Sequence, residues 1–181
     1  MSGPRRLPGD PSRAETIARI VRVDHAGEYG AKRIYDGQLA VLGRSAAAPV
    51  IRRMAEQERR HLAAFERIVV ERRVRPTLLS PLWHVAGFAL GAATALLGER
   101  AAMACTVAVE EVIDEHYQAQ LDTLEDSEPE LSAAIAEFRG HEIEHRDTAL
   151  AHEAQEAPGY PLLSAAIKTG SRLAIWLSTR L

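Results

Sequence analysis

The chain has 181 residues, 46% of them hydrophobic and 26% charged, which is enough apolar material for one buried core and too much for a disordered tail. A net charge of −3 leaves no cationic excess to neutralise phosphates, so a general nucleic-acid binder is excluded. The single cysteine, Cys105, excludes an internal disulfide, a four-cysteine zinc site and an Fe–S cluster held by this chain alone, and it points to a reducing compartment.

The first residues, MSGPRRLPGDPSR, carry no apolar h-region and do not read as a secretory signal; residues 1–11 are expected to be disordered. Ser12 followed by Glu15 predicts a capping box that opens a helix over about 12–42. GRSAAAP at 43–49 is a short break, and a second helix follows over 48–73. An apolar helix at 80–97 lies in a long connection. Further helices are predicted over 99–125 and 129–156, separated by the break EDSEPE, with a last one at 161–179. No stretch shows sustained period-2 alternation, so no sheet is predicted. Four long helices, two short loops and one long middle connection describe an all-α four-helix bundle with a single crossover. Residues 12–181 read as a single domain. Arg22, Arg33, Arg52, Arg53, Arg59 and Arg60 read as solvated helix faces.

Each long helix carries an apolar stripe, and each stripe is interrupted near its middle by a carboxylate. Glu28 interrupts the first helix, Glu58 and His61 the second, Glu110 the third, and Glu142 and His145 the fourth. An unpaired buried carboxylate costs several kcal/mol even after relaxation, and no Lys or Arg shares these stripes. Two divalent cations would balance four carboxylates, and two imidazoles would complete the ligand set. Glu-x-x-His puts both side chains on one helix face. Oxygen and imidazole donors without thiolate suit Fe or Mn better than a structural zinc. The pattern also repeats, with 30 residues from Glu28 to Glu58 and 32 from Glu110 to Glu142.

The segments RVDHAGEYGAKRIYDGQLAVL (22–42), MAEQERRHLAAFE (54–66), ACTVAVEEVIDEHYQAQL (104–121) and FRGHEIEHRDTAL (138–150) closely resemble the demethoxyubiquinone hydroxylases of ubiquinone biosynthesis. That resemblance implies a ferritin-like di-iron monooxygenase that uses O2 to hydroxylate the ring of a polyprenylated demethoxyubiquinol. It implies two Fe ions per chain, with Glu28 and His61 on one, Glu110 and His145 on the other, and Glu58 and Glu142 bridging. His141 stands where members of that family more often carry an acid, and it lies outside the ligand stripe. The implied partners are the quinol, O2, an external reductant such as NADH, a membrane surface, and a lipid-binding accessory protein or further copies of the chain. No G-x-G-x-x-G loop offers an internal dinucleotide site. The implied location is peripheral, on the cytoplasmic face of a bacterial cell membrane or the matrix side of the mitochondrial inner membrane. The absence of a long transit segment favours the bacterial case.

Competing patterns remain in view. HEIEH (141–145) matches the H-E-x-x-H zinc-hydrolase motif, which would make His141 and His145 ligands and Glu142 a general base. Iron oxidation and catalase-type chemistry use similar ligand sets. His116 and Tyr117 are candidates for contacts just behind the metals, on equal terms with simple packing. Asp24 and His25 are undecided. Glu111 is expected at the surface or just behind the ligands, and Cys105 as a buried small hydrophobe.

The stretch from Pro76 through Gly98 contains no Asp, Glu, Lys or Arg. Its two prolines shorten the usable helix to about 17 residues, near the lower limit for spanning a bilayer. Crossing would also put the two halves of the ligand set on opposite sides of the membrane. The expectation is a crossover helix lying in the interface beside Leu173, Trp176 and Leu177; the alternative is a purely internal packing helix.

Overall fold

The computed structural model describes residues 10–124 and 127–181. Among them are no strands and six α-helices: α1 Arg13–Leu42, α2 Ala48–Glu71, α3 Ser80–Leu96, α4 Glu99–Leu124, α5 Pro129–Ala151 and α6 Tyr160–Ser178. α1 opens at the predicted capping box, where Ser12 Oγ accepts from the Glu15 N–H and the Glu15 carboxylate accepts from the Ser12 N–H. The expectation of a disordered segment over 1–11 falls almost entirely on residues 1–9, outside the described residues. Glu125 and Asp126 of the second break lie outside them too.

α1 pairs with α2 and α4 with α5, and the two hairpins face each other to form a ferritin-like bundle. α3 lies along α1, and α6 along α4. Two apolar clusters fill the bundle. One gathers Tyr35, Ile51, Met54, Met103 and Val107; the other gathers Val21, Phe65, Tyr117, Leu131, Ile135 and Phe138. The interrupting carboxylates sit between the two.

Helix four ends earlier than its periodicity suggests. α5 stops at Ala151, Glu153 takes a left-handed φ of 60°, and a 3-10 turn follows at Ala154–Glu156. Ala154 and Ala157 turn into the first apolar cluster, and an Arg100–Glu153 ion pair of 2.6 Å ties the turn to the start of α4. A helix continuing to 156 would carry those alanines out of the core.

Two of the arginines expected on solvated faces are instead half-buried clamps. Arg22 Nε donates to the Arg75 carbonyl at 2.9 Å. Arg33 Nε donates to the His84 carbonyl at 3.2 Å, and its guanidinium lies over the Phe88 ring. Both hold the long crossover to α1. Arg52, Arg53, Arg59 and Arg60 are exposed as expected.

α3 reaches α1 backbone to backbone. A Cβ on Gly91 would overlap the Ile34 carbonyl, and one on Gly37 would overlap the Phe88 carbonyl, so only glycine permits this approach. The opposite face of α3 is uncovered: Leu82, Val85 and Leu96 are 51%, 65% and 75% exposed. A purely internal packing helix is therefore not what the fold contains. No helix among the described residues is long and apolar enough to cross a membrane.

Candidate metal centre

Glu28, Glu58, His61, Glu110, Glu142 and His145 converge at mid-bundle, none more than 3% exposed. α1 and α4 contribute one glutamate each, and α2 and α5 contribute one Glu-x-x-His each. The donor atoms fall into two groups, within each of which all lie within 4.8 Å of one another. One is Glu28, Glu58, His61 and Glu142; the other is Glu58, Glu110, Glu142 and His145. Glu58 and Glu142 belong to both.

Both imidazoles turn Nδ1 inward. His61 Nδ1 lies 3.0 Å from Glu142 Oε1 and 3.4 Å from Glu28 Oε2. His145 Nδ1 lies 3.0 Å from Glu142 Oε2 and 3.1 Å from Glu58 Oε1. Despite this proximity, both Nδ1 atoms and one oxygen each of Glu28, Glu58 and Glu142 are buried without a hydrogen bond of acceptable geometry. Such orphaned donors, all oxygen or imidazole nitrogen, suit a divalent cation in a site that offers no Lys or Arg.

Without metal, protons take over the charge balance. Burial pushes the carboxyl of Glu58 well above its ordinary range, and the charge on Glu142 adds to the rise. Burial and Glu142 act the same way on Glu110. Glu28 is also raised by burial, with His61 opposing. Burial works against the imidazolium of His61, but Glu142 and Glu28 outweigh it and push the ring up to about 10. His145 goes up to about 11 for the same reason, held by Glu142 and Glu58. Glu142 resists burial because His145 and His61 both serve it, and its carboxyl falls to about 2.

Two tyrosines brace the outer glutamates. Tyr35 on α1 donates to Glu110 Oε1 at 3.0 Å, and Tyr117 on α4 donates to Glu28 Oε1. Of the two candidates for contacts behind the metals, Tyr117 thus touches the ligand set and His116 does not. His116 Nε2 stands 3.6 Å from Asp24 Oδ1, and Gln120 donates to that same oxygen at 2.6 Å. Asp24 is buried on this side network, with burial raising its carboxyl. His25 is half-buried and is not drawn into the centre. Glu111 pairs with Lys168 on α6. Cys105 is fully buried, its thiol pushed up to about 12 by desolvation.

Two further contacts involve residues off the apolar stripes. His61 Nε2 and His141 Nδ1 lie 3.0 Å apart, and His145 Nε2 lies 3.0 Å from Gln57 Oε1. Gln57 and His61, like His141 and His145, are four residues apart on one helix face, and that spacing was the available signal. The H-E-x-x-H pattern fails on geometry: among the described residues, neither metal-competent group contains His141.

Curated relatives of the chain are named as hydroxylases. The family model for ubiquinone biosynthesis protein COQ7 matches residues 15–178. A Rhodospirillum rubrum protein named 3-demethoxyubiquinol 3-hydroxylase is 63% identical over 97% of this chain and 83% of its own. The human mitochondrial protein named NADPH-dependent 3-demethoxyubiquinone 3-hydroxylase is 56% identical, over 91% of this chain and 78% of its own. The Saccharomyces cerevisiae mitochondrial protein named 5-demethoxyubiquinone hydroxylase is 41% identical, over 94% and 80%. With the match spanning the bundle from α1 to α6, the chain belongs to the COQ7 family of ubiquinone biosynthesis proteins.

Proposed function

We propose that this chain hydroxylates the ring of a polyprenylated demethoxyubiquinol at a di-iron centre. Glu28 and His61 would hold one iron, Glu110 and His145 the other, and Glu58 and Glu142 would serve both. The observation that carries this reading is the overlap of the two donor groups at just those two carboxylates. The names of the relatives support the substrate and the reaction.

A bound iron pair supplies the redox chemistry that activates O2 for insertion into an aromatic C–H bond. One oxygen atom enters the ring and the other leaves as water, so two electrons and two protons must come from outside. NADPH, named in the human relative, is the external reductant of this proposal, a choice that the sequence left open. The chain's own residues hold and shield the centre. Tyr35 and Tyr117 orient the outer carboxylates, and the apolar clusters above and below exclude water.

An apolar cavity of about 360 Å³ lies among α1, α3, α4 and α6, lined by Gly27, Gly30, Gly87, Leu90, Val109 and Ile113. Gly27 precedes Glu28 and Val109 precedes Glu110, so the cavity backs onto the ligand-bearing turns. It suits an isoprenoid-bearing ring, and an iron store or a catalase has no use for it. Near it, α3 and α6 meet where Trp83 Nε1 donates to Ser178 Oγ at 2.9 Å. Leu82, Val85, Leu173 and Trp176 are exposed on the same two helices. We place this face on the lipid surface that holds the quinol, as a peripheral attachment. That surface is the cytoplasmic face of a bacterial membrane, or the matrix side of the inner membrane in mitochondria. A lipid-binding accessory protein or a second copy of the chain would share it.

Iron analysis with Mössbauer spectroscopy, joined to quinone profiling of a complemented deletion strain, tests the proposal. Two coupled irons per chain and restored ubiquinone are expected. Stoichiometric zinc with indifference to iron under reducing reconstitution overturns it.

A further inference from the structure

The site has an internal pseudo-twofold order that extends beyond its ligands. Tyr35 follows Glu28 by seven residues, and Tyr117 follows Glu110 by seven. Each tyrosine donates to the glutamate of the other helix. Gln57 precedes Glu58 and accepts from His145 on α5, while His141 precedes Glu142 and meets His61 on α2. Each hairpin therefore grips the outward nitrogen of the other hairpin's imidazole.

The order breaks at this last pair, amide on one side and imidazole on the other. An imidazole that offers its Nδ1 lone pair to a metal carries its proton on Nε2. His61 Nε2–H then donates to His141 Nδ1, and His145 Nε2–H donates to Gln57 Oε1. The His61 and His141 ring planes are within 4° of parallel, with centroids 5.2 Å apart and the facing nitrogens 3.0 Å apart, close to the largest centroid separation that nitrogen distance allows. That places them edge to edge along the hydrogen bond. An imidazole nitrogen is a stronger acceptor than an amide oxygen, and a partner that draws on the N–H raises the basicity of the ligating nitrogen. Phe138 stacks on His61 at 4.3 Å, and the residue at the equivalent position on α2 is Met54.

We propose that His141 and Gln57 are positioning residues that fix the inward tautomers of His61 and His145, and that their different acceptors make the two metal positions inequivalent, the His61 position being the tighter. The inference rests on the di-metal reading. It assigns to His141 a role that H-E-x-x-H would give to a ligand and that its place off the apolar stripe would give to nothing.

Anaerobic Fe(II) titration of the full chain, with Mössbauer spectra of the iron-57 form, tests it. Wild type is expected to bind two irons in two resolvable steps and to give two quadrupole doublets of equal area. His141→Ala should weaken the tighter step about 10- to 100-fold, the usual range for losing such a partner, and leave the other step unchanged. Gln57→Ala should weaken only the other. His141→Gln should keep both irons while its doublets converge, because both imidazoles then meet an amide. Wild-type constants in His141→Ala, or His141→Gln as weak as His141→Ala, overturns the positioning role. Where the alanine variant fails to fold, unchanged doublets in His141→Gln overturn it instead. A wild-type chain that takes up no pair of irons removes the di-metal reading itself.

Discussion

Tyr117 on α4 donates its phenolic hydroxyl to Glu28 on α1, and the contact spans the bundle between two helices that otherwise touch little. Its counterpart, Tyr35 to Glu110, runs the opposite way. A hydrogen bond to a charged group contributes about 1.5–3 kcal/mol. Tyr117→Phe and Tyr35→Phe should each weaken iron binding by about ten- to a hundredfold while keeping two irons at saturation. Anaerobic titration checks this, and constants unchanged in both variants would mean that the hydroxyls only fill space.

Metal uptake should release protons. His61 and His145 are charged in the metal-free chain up to about pH 10 and 11, and burial and the charge on Glu142 raise the carboxyls of Glu58 and Glu110 well above their ordinary range. A metal needs all four groups deprotonated, so affinity should rise with pH across the neutral range. Calorimetry in two buffers of different ionisation enthalpy would read the release. A binding heat independent of buffer would contradict the protonated metal-free centre.

The same shifts set the stability of the metal-free protein. Both imidazoles have folded values raised above 6.5, so their contribution is full below about that pH and is lost as pH rises through about 10. The raised carboxyls act in the same direction. Only Glu142 opposes, since its contribution disappears on acidification toward about 2. Chelator-treated protein should therefore melt lower at pH 9 than at pH 7, by roughly 10–20 °C, since two imidazoles over two pH units contribute about 5 kcal/mol and each kcal/mol is worth about 2–4 °C at this chain length. The iron-loaded protein should show a much smaller difference. Equal melting temperatures for the metal-free protein across that range would count against it.

Helical phase was enough to read the six clustered residues, because burial forces periodicity on a helix and a carboxylate on the buried face stands out. Phase alone did not say which two are shared; the family resemblance implied Glu58 and Glu142, and those two belong to both donor groups. Gln57 and His141 were not readable in the same way. Whether a residue one place before a buried glutamate meets a neighbour's imidazole depends on how far two helices rotate against each other, and no stripe encodes that. Arg22 and Arg33 misled for a related reason. Their positions on α1 are outward, but the crossover returns over them and supplies backbone carbonyls. The early end of α5 depended on what the following alanines pack against, which is tertiary information.

Gly91 tests how α3 is fixed. A Cβ there would overlap the Ile34 carbonyl, and backbone cannot swing aside as a side chain can. Overpacking of this kind costs about 1–3 kcal/mol. Gly91→Ala should lower the melting temperature by several degrees, whereas Gly170→Ala, with nothing near its Cβ, should not. Equal effects would mean that helix propensity rather than close approach sets the response.

The uncovered face of α3 and α6 makes the last prediction. Leu82 and Val85 on α3, and Leu173 and Trp176 on α6, are each at least half exposed. The two helices are joined by Trp83 to Ser178, and the segments flanking them by the Leu78 N–H to the Leu181 carbonyl, so these side chains belong to neighbouring elements. Moving one such aliphatic chain fully out of water is worth about 1.5–3 kcal/mol. Replacing Leu82 and Val85 together with serine should therefore lower partition onto vesicles by at least about tenfold. Iron content should stay at the wild-type value, because neither residue reaches the centre. Flotation on liposomes reads the first quantity and metal analysis the second. A carbonate wash of native membranes should release the protein, since α3 is a 17-residue helix bound along α1 rather than a span. Undiminished flotation of the serine variant would take this face off the membrane, and retention until detergent is added would mean that α3 leaves α1 to insert.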